Sequence, residues 1–258
     1  ITINPKPVVS ISVADNSVCE AEQISITPAA SIGSGSIASG TWNFGNGTSA
    51  YVNNGILTRS YTSYGTYNIN LEVVSDRGCR TTSANSIVNI YDNPVAAFSM
   101  PGAVCMPGGT VAFTNNSSVL DGSSLSYSWN FGDASAASSL QNPVHNCAVA
   151  TSASSYPVTL TTTSSFGCIT PVTRVFNKFS DKPTAVFDRS PVTVCQGEQI
   201  GFSHTSIAPN SSISTVKWLF SDGSSSNTAN ASKLFTRVGQ TQGRLIATNA
   251  AGCVSDTS

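Results

Sequence analysis

The chain has 258 residues and a formal net charge of −1, with 40% hydrophobic and only 10% charged residues. That length suits two or three domains, and the apolar content excludes wholesale disorder. No Lys/Arg cluster is present to neutralise phosphates, which excludes a nucleic-acid reader, and no apolar run approaches the roughly 20 residues of a membrane-spanning helix.

In chain order, residues 1–4 read as the end of a preceding repeat, with Ile1-Thr2-Ile3 as its last strand. Ile1 to Pro5 lacks the charged start and apolar stretch of a signal peptide, so an exported chain is expected to be an excerpt or a mature form, and the repeat register makes it an expected piece of a longer array. After Cys19 a strand is expected near Gln23–Ile26. Trp42 and Phe44 alternate on a central strand that closes in the turn Gly45-Asn46-Gly47. Tyr67, Ile69, Leu71 and Val73 then take every second place, the period of a half-buried strand. Gly78-Cys79 follows, and Ser86 to Tyr91 ends the unit before the junction Asp92-Asn93-Pro94-Val95-Ala96-Ala97-Phe98.

The series then returns twice. Cys105, a strand near Thr110–Thr114, Trp129/Phe131, the turn Gly132-Asp133-Ala134, the alternation Tyr156/Val158/Leu160 and Gly167-Cys168 form the second copy. Beyond the junction Asp181-Lys182-Pro183-Thr184-Ala185-Val186-Phe187 come Cys195, a strand near Gln199–Ser203, Trp218/Phe220, Ser221-Asp222-Gly223 and Gly252-Cys253. The late strand is weaker there, with Thr241 and Gly243 ahead of Leu245, and no equivalent of Ser86 to Tyr91 follows. The tryptophans recur 87 and 89 residues apart, and six of the seven cysteines keep the same beat. The repeat is real. No stretch carries helical periodicity with caps. The expected fold is all-β: three tandem Ig-like β-sandwiches arranged as a rod, with domains at 5–93, 94–182 and 183–258, the third lacking its final strand.

Each copy offers one cysteine before its second strand and one in a Gly-Cys turn after a late strand. The expected bridges are Cys19–Cys79, Cys105–Cys168 and Cys195–Cys253, tying two turns at one end of each sandwich. Loops of 58 to 63 residues closed this way contribute roughly 4 kcal/mol in the chain-entropy model. Such bonds persist in oxidising surroundings and imply an extracellular location. The odd Cys147 replaces Tyr61 of the first copy and Phe235 of the third; it is expected as a free buried thiol at a core position, with an intermolecular disulfide as the sharper alternative.

The Pro-x-Ala-x-Phe opening, the Trp129-Asn130-Phe131-Gly132-Asp133 string and the Tyr64-Gly65-Thr66-Tyr67-x-Ile69-x-Leu71 strand resemble the PKD domain. More narrowly they resemble the cysteine-containing PKD arrays of large bacterial surface proteins. That resemblance implies an Ig-like sandwich in long extracellular proteins, including gliding and adhesion proteins exported by type IX secretion, or a spacer of secreted hydrolases. Asn46, Ala134 and Ser221 depart from the family turn.

Few residues invite chemistry. His145 and His204 are about 60 residues apart in different expected domains, so they are not expected to share a catalytic set, and no Cys/His cluster has zinc spacing. Asp133 and Asp222 are weak calcium candidates, more simply read as carboxylates that cap a turn. Trp42, Phe44, Trp129, Phe131, Trp218 and Phe220 are expected in the core rather than as sugar platforms. Tyr51, Tyr64, Phe176 and Phe179 have no aromatic counterpart in every copy and are the better candidates for exposed contacts, with loop or junction packing the favoured role for each. The expected function is a non-enzymatic structural or adhesive segment of a cell-surface protein or filament, partnered by further repeats and by surface glycans or other proteins. The alternative is an accessory binding module of a secreted hydrolase. No cofactor is expected beyond the calcium candidates, and no membrane insertion.

Overall fold

The computed structural model describes residues 1–47, 55–147, 153–236, 238–239 and 241–257; Tyr51 lies outside them. All regular structure among the described residues is β-strand.

The first repeat contains β1 (Val8–Ala14), β2 (Ser17–Cys19), β3 (Gln23–Ser31), β4 (Ile37–Asn43), β5 (Leu57–Ser60), β6 (Gly65–Ser75), β7 (Arg80–Thr82) and β8 (Ser86–Tyr91). One sheet runs β1-β3-β5; the other runs β2-β8-β6-β4, with β7 also on β6. The apolar alternation that marks β6 in sequence puts Ile69, Leu71 and Val73 on its inner face. They meet Trp42, Val88 and Ile90 of the same sheet, Phe44 just past the end of β4, and Ile24 and Ile26 of the other sheet, all at most 3% exposed. Burying each such side chain contributes roughly 1.5–3 kcal/mol. Tyr61 closes the core and donates its hydroxyl to the Phe44 carbonyl at 2.9 Å; burial pushes its pKa up, against the nearby Arg59.

The second repeat holds β9 (Phe98–Ser99), β10 (Val104–Met106), β11 (Thr110–Ala112), β12 (Thr114–Asn115), β13 (Leu125–Asn130), β14 (Val144–Asn146), β15 (Tyr156–Ser164), β16 (Ile169–Phe176) and β17 (Phe179–Asp181). Its sheet β13-β15-β16 is accompanied by the pairs β9–β12, β11–β14 and β10–β17. Trp129 is fully buried, edge-on to Phe98 at 5.1 Å, and its indole N–H donates to the Leu140 carbonyl.

The third repeat contains β18 (Phe187–Ser190), β19 (Gln199–His204), β20 (Ile213–Phe220), β21 (Ser225–Ser226), β22 (Asn230–Leu234) and β23 (Gly243–Asn249). These form the sheets β18-β19-β22 and β21-β20-β23 around Trp218, whose indole N–H donates to the Thr228 carbonyl. The weak alternation before Leu245 has a structural counterpart. In the first repeat, residues 65–69 of β6 pair with β8; in the third, the strand begins only at Gly243.

By contacts the chain forms two compact units. One comprises Ile1–Ala97, Ser117–Ser128 and Thr161–Val172; the other comprises Phe98–Asn116, Trp129–Leu160 and Thr173–Ser258. The middle repeat is therefore divided between them, one part grouped with the first repeat and one with the third.

Candidate functional site

The cysteines define the most built feature of the chain. In the first repeat β2 lies parallel to β8, with Cys19 opposite Tyr91. The chain then turns sharply, with Ala21 at φ 66°. The Glu22 carboxylate accepts from the Cys19 N–H at 2.9 Å, while the Glu22 N–H returns to the Cys19 carbonyl. Glu20 completes the anchor by donating its N–H to the Tyr91 carbonyl. The sulfur of Cys19 is thus held beside the end of the repeat's last strand.

The Gly-Cys turn is a different device. Ser164 donates its N–H to the Cys168 carbonyl and accepts the Cys168 N–H on its hydroxyl. Gly167, at φ 91°, donates to the Ser164 carbonyl. A side chain at that φ is strained, which is why glycine precedes the cysteine.

These two devices meet across repeats. Cys19 is bonded to Cys168, and Cys105 to Cys253, at Cα separations of 5.7 and 5.5 Å and sequence separations of 149 and 148. The expected bridges Cys19–Cys79, Cys105–Cys168 and Cys195–Cys253 are corrected: each bond joins the first cysteine of one repeat to the second cysteine of the next. The reason lies in β6. Cys19 sits beside Tyr91, whose strand pairs with β6 at its Gly65 end, whereas Cys79 follows the Ser75 end. Eleven residues at about 3.4 Å each separate the ends by roughly 35 Å, far beyond the roughly 7 Å that a disulfide tolerates between Cα atoms. The two cysteines of a repeat occupy opposite ends of its sandwich. Sequence spacing had placed them at one end; the strand running from Gly65 toward Gly78-Cys79 is the signal that separates them.

Around each bond the junction is packed. Phe166, two residues before Cys168, stacks on Tyr91 with centroids 3.8 Å apart. Asp121 accepts the Asp92 N–H, and Leu120 donates its N–H to the Asp92 carboxylate. Burial works against the Asp121 carboxylate, but its bonds from Ser123 and Asp92 hold its pKa below the usual range. At the second junction β10 lies parallel to β17, with Cys105 opposite Ser180. Asn249 takes the place of Ser164: it accepts the Cys253 N–H at 2.9 Å and donates its amide to the Ser180 hydroxyl and the Asp181 carbonyl, both at 3.0 Å. Cys253 and Cys168 are no more than 1% exposed. Cys79, Cys147 and Cys195 carry free thiols.

Cys147 is 4% exposed, in the core place that Tyr61 and Phe235 occupy in their own repeats; burial raises its pKa, and the Asp133 charge adds to that. Its neighbour His145 stacks on Phe131 at 4.0 Å and brings Nε2 to 2.6 Å from the Asp133 carboxylate. Asp133 also caps its turn through the Ser135 N–H and hydroxyl. Desolvation opposes its charge, yet the bonds from Ser135 and His145 carry its pKa below the usual carboxylate range. Asp222 does the same work in the third repeat with Lys233, at 2.7 Å, and Ser224, and these bonds lower its pKa strongly. Both calcium candidates are therefore matched to a basic side chain and a turn serine of their own repeat, and no group of three or more His, Cys, Asp or Glu suited to a metal ion occurs among the described residues.

The turn tolerates its sequence departures differently. Ala134 stands at φ 62° where the other copies have Gly47 and Gly223. Ser221, in the place of Gly45 and Gly132, uses its hydroxyl to accept the Gln242 N–H. Trp42, Phe44, Trp129, Phe131, Trp218 and Phe220 are all at most 7% exposed. Of the residues proposed for exposed contacts, Tyr64 is 43% exposed, but Phe176 and Phe179 are buried at 2% and 7%. They take the packing role rather than the exposed one: the two rings pack edge to face at 4.9 Å, at the end of β16 and the start of β17. Sequence reasoning missed Phe166 and Asn249, whose partners belong to the preceding repeat. His204 ends β19 with a buried, unpartnered Nδ1.

Comparison with known proteins gives three consecutive matches to the family described as PKD domain, at residues 4–90, 91–177 and 180–258. Among solved structures the chain is similar to the three N-terminal domains of the bacteriophage RB49 Highly Immunogenic Outer Capsid protein (Hoc), at 11% identity and a TM-score of 0.43, over 98% of this chain and 97% of that one. It is also similar to the chicken CNTN1 FN1-FN3 domains, at 11% identity and a TM-score of 0.36, over 99% and 97%. Fibronectin(III)-like modules of Clostridium thermocellum CbhA match at 15% identity and a TM-score of 0.31, over 67% and 95%.

Proposed function

We propose that this chain, which belongs to the PKD-domain family, is a non-enzymatic structural or adhesive segment of a long extracellular surface protein, of the kind that gliding adhesins and type IX export exemplify. Its units are the repeats at 5–93, 94–182 and 183–258, and its working feature is covalent continuity from one repeat to the next. The observation that carries this reading is the Cys19–Cys168 bond, repeated as Cys105–Cys253. A bridge within one sandwich would protect that sandwich alone; a bridge between successive repeats puts the junction itself under covalent control.

Each bond closes a loop of nearly 150 residues, and in the chain-entropy model the closure contributes roughly 5 kcal/mol. Under tension the effect is larger. With both bonds intact, the shortest covalent path between the termini runs from 1 to 19, back from 168 to 105, and from 253 to 258. At roughly 3.5 Å per residue that path extends to about 300 Å, against about 900 Å for the whole chain. Bonds of this kind persist in oxidising surroundings, which supports a place outside the cell.

The test is single-molecule force spectroscopy of the chain held by its ends. Without reductant, full extension is expected near 300 Å; with a membrane-free thiol reductant it is expected to rise about threefold. The same final length in both conditions would defeat the covalent-continuity reading.

A further inference from the structure

A basic side chain occupies the same place in all three repeats, and in the first its partner differs. The strand paired with β3, β11 or β19 carries it at one fixed register: Arg59 lies opposite Ile24, His145 opposite Val111 and Lys233 opposite Ile200. Each lies against the aromatic residue two places after the tryptophan. Arg59 Cζ stands 4.3 Å from the Phe44 centroid, the His145 ring 4.0 Å from Phe131 and Lys233 Nζ 5.5 Å from Phe220. Each then reaches the middle residue of the turn that follows. His145 and Lys233 meet carboxylates, at 2.6 Å on Asp133 and 2.7 Å on Asp222. Arg59 instead donates from Nη2 to an amide oxygen, Oδ1 of Asn46, at 3.3 Å. Only the first repeat offers its basic group an uncharged side chain in this place.

The amide that replaces the carboxylate is followed by glycine, and an Asn-Gly pair is one whose own backbone nitrogen can expel the side-chain amide. Nothing lies within 4 Å of where a Cβ on Gly47 would stand, so no side chain shields that nitrogen. Asn46 and Gly47 are both exposed, so water reaches them. The Arg59 guanidinium on Oδ1 draws electron density from the amide carbon. It also stabilises the oxyanion that forms when that carbon is attacked. Asp222-Gly223, the equivalent pair of the third repeat, already carries the carboxylate that such an attack would leave behind.

The geometry points to Asn46-Gly47 as a self-modification site, where deamidation produces the carboxylate that the other two repeats encode. The Gly47 nitrogen attacks Asn46 Cγ. A C–N bond forms, the Cγ–Nδ2 bond breaks, and ammonia leaves with the Gly47 amide proton, so that a cyclic imide remains. Water then adds at Cγ, the new C–N bond opens, and the Gly47 N–H is restored. One water is consumed and one ammonia released, with no oxidation or reduction. Because Arg59 faces Oδ1, it activates the Cγ carbonyl in both steps. The product is therefore ordinary aspartate, not the isomer whose backbone runs through Cβ. Its carboxylate pairs with Arg59 as Asp222 pairs with Lys233. The inference rests on the turn of the first repeat and stands apart from the surface-protein reading.

The chain is incubated at mildly alkaline pH in heavy-oxygen water, and its peptides are followed by mass spectrometry that separates aspartate from isoaspartate. Asn54-Gly55, the other Asn-Gly pair of the chain, is the internal reference. Asn46 is expected to exchange its amide for one labelled oxygen, with aspartate exceeding isoaspartate. Arg59→Gln is expected to slow conversion at Asn46 about tenfold relative to Asn54, the effect of losing one charge-assisted hydrogen bond. Arg59→Lys, which supplies the basic group of the third repeat, is expected to recover most of the rate. If Arg59→Gln loses the native circular dichroism, the product ratio of the native chain against the urea-unfolded chain decides in its place. Aspartate in excess only in the folded chain supports the inference. A persistent amide at Asn46, isoaspartate as the main product, one product ratio in folded and unfolded chains, a folded Arg59→Gln as fast as the native chain, or an Arg59→Lys no faster than Arg59→Gln would each overturn it.

Discussion

The first and third repeats start from the same sequence pattern and end differently sealed. In the first, β8 lies between β6 and β2, and its core residues are at most 3% exposed. In the third, no strand of the described residues takes that place, and Ile200, Phe220 and Phe235 stay 7–9% exposed. The last strand therefore does two things at once. It closes the core of its own repeat, and it presents the residue beside which the first cysteine meets the next repeat. Core closure and junction formation are one event in this architecture.

The largest effect that sharpens this comparison comes from equivalent core leucines. Leu71 and Leu245 are both fully buried, and truncation of either to alanine costs about 2–5 kcal/mol. Leu71→Ala is expected near the top of that range, because β6 is flanked by β4 and β8 and cannot collapse. Leu245→Ala is expected near the bottom, because β23 is an edge strand of its sheet among the described residues and its neighbours are freer to move. Hydrogen exchange resolved to β6 and β23 measures both; equal losses would erase the distinction.

The turn after the tryptophan breaks the comparison in a second way. A Cβ at Gly45 would stand 2.8 Å from the Asn68 nitrogen and one at Gly132 2.6 Å from the Pro157 carbonyl, a place that Ser221 fills in the third repeat, whereas nothing lies within 4 Å of one at Gly223 or at its first-repeat equivalent Gly47. All four glycines have positive φ. Gly45→Ala and Gly132→Ala are expected to cost about 3 kcal/mol, with backbone collision added to strain; Gly223→Ala costs about 1 kcal/mol from strain alone. Thermal unfolding of the three variants ranks them.

A smaller, pH-dependent effect separates the copies by charge. The first repeat has the neutral Asn46 where the second has Asp133. Because the folded pKa of Asp133 lies below its unfolded value, its contribution is fully present above the unfolded value near pH 3.9. It is lost as pH falls through the folded value. Asp133→Asn is expected to cost about 2 kcal/mol at neutral pH and to flatten the acid loss of the second repeat, leaving the first unchanged. Asp222 is 45% exposed, and solvent screening leaves it the weaker case. Acid titration followed by exchange at β15 and β6 reads the difference.

Much of the fold was legible because it rests on local periodicity. The alternation of Tyr67, Ile69, Leu71 and Val73 identified β6, and the recurring Trp-x-Phe string located the core of every copy. Cys147 was readable as a core position because aromatic residues hold it in the other copies. The turn carboxylates were readable as caps, though their side-chain partners, His145 and Lys233, were not, since neither adjoins its partner in sequence. Packing and exposure both stayed open for Phe176 and Phe179, because burial at a strand end depends on what crosses it, which no period reveals.

The amino-acid sequence by itself determined that this protein is three all-β repeats with two cysteines each in constant phase. Those properties follow from side-chain alternation, turn residues and spacing, all of which act over a few neighbours. Only the tertiary structure decided which sulfurs meet. A long strand holds the two cysteines of a repeat at opposite ends of the sandwich, and a disulfide forms where Cα atoms approach, not where sequence separation is least.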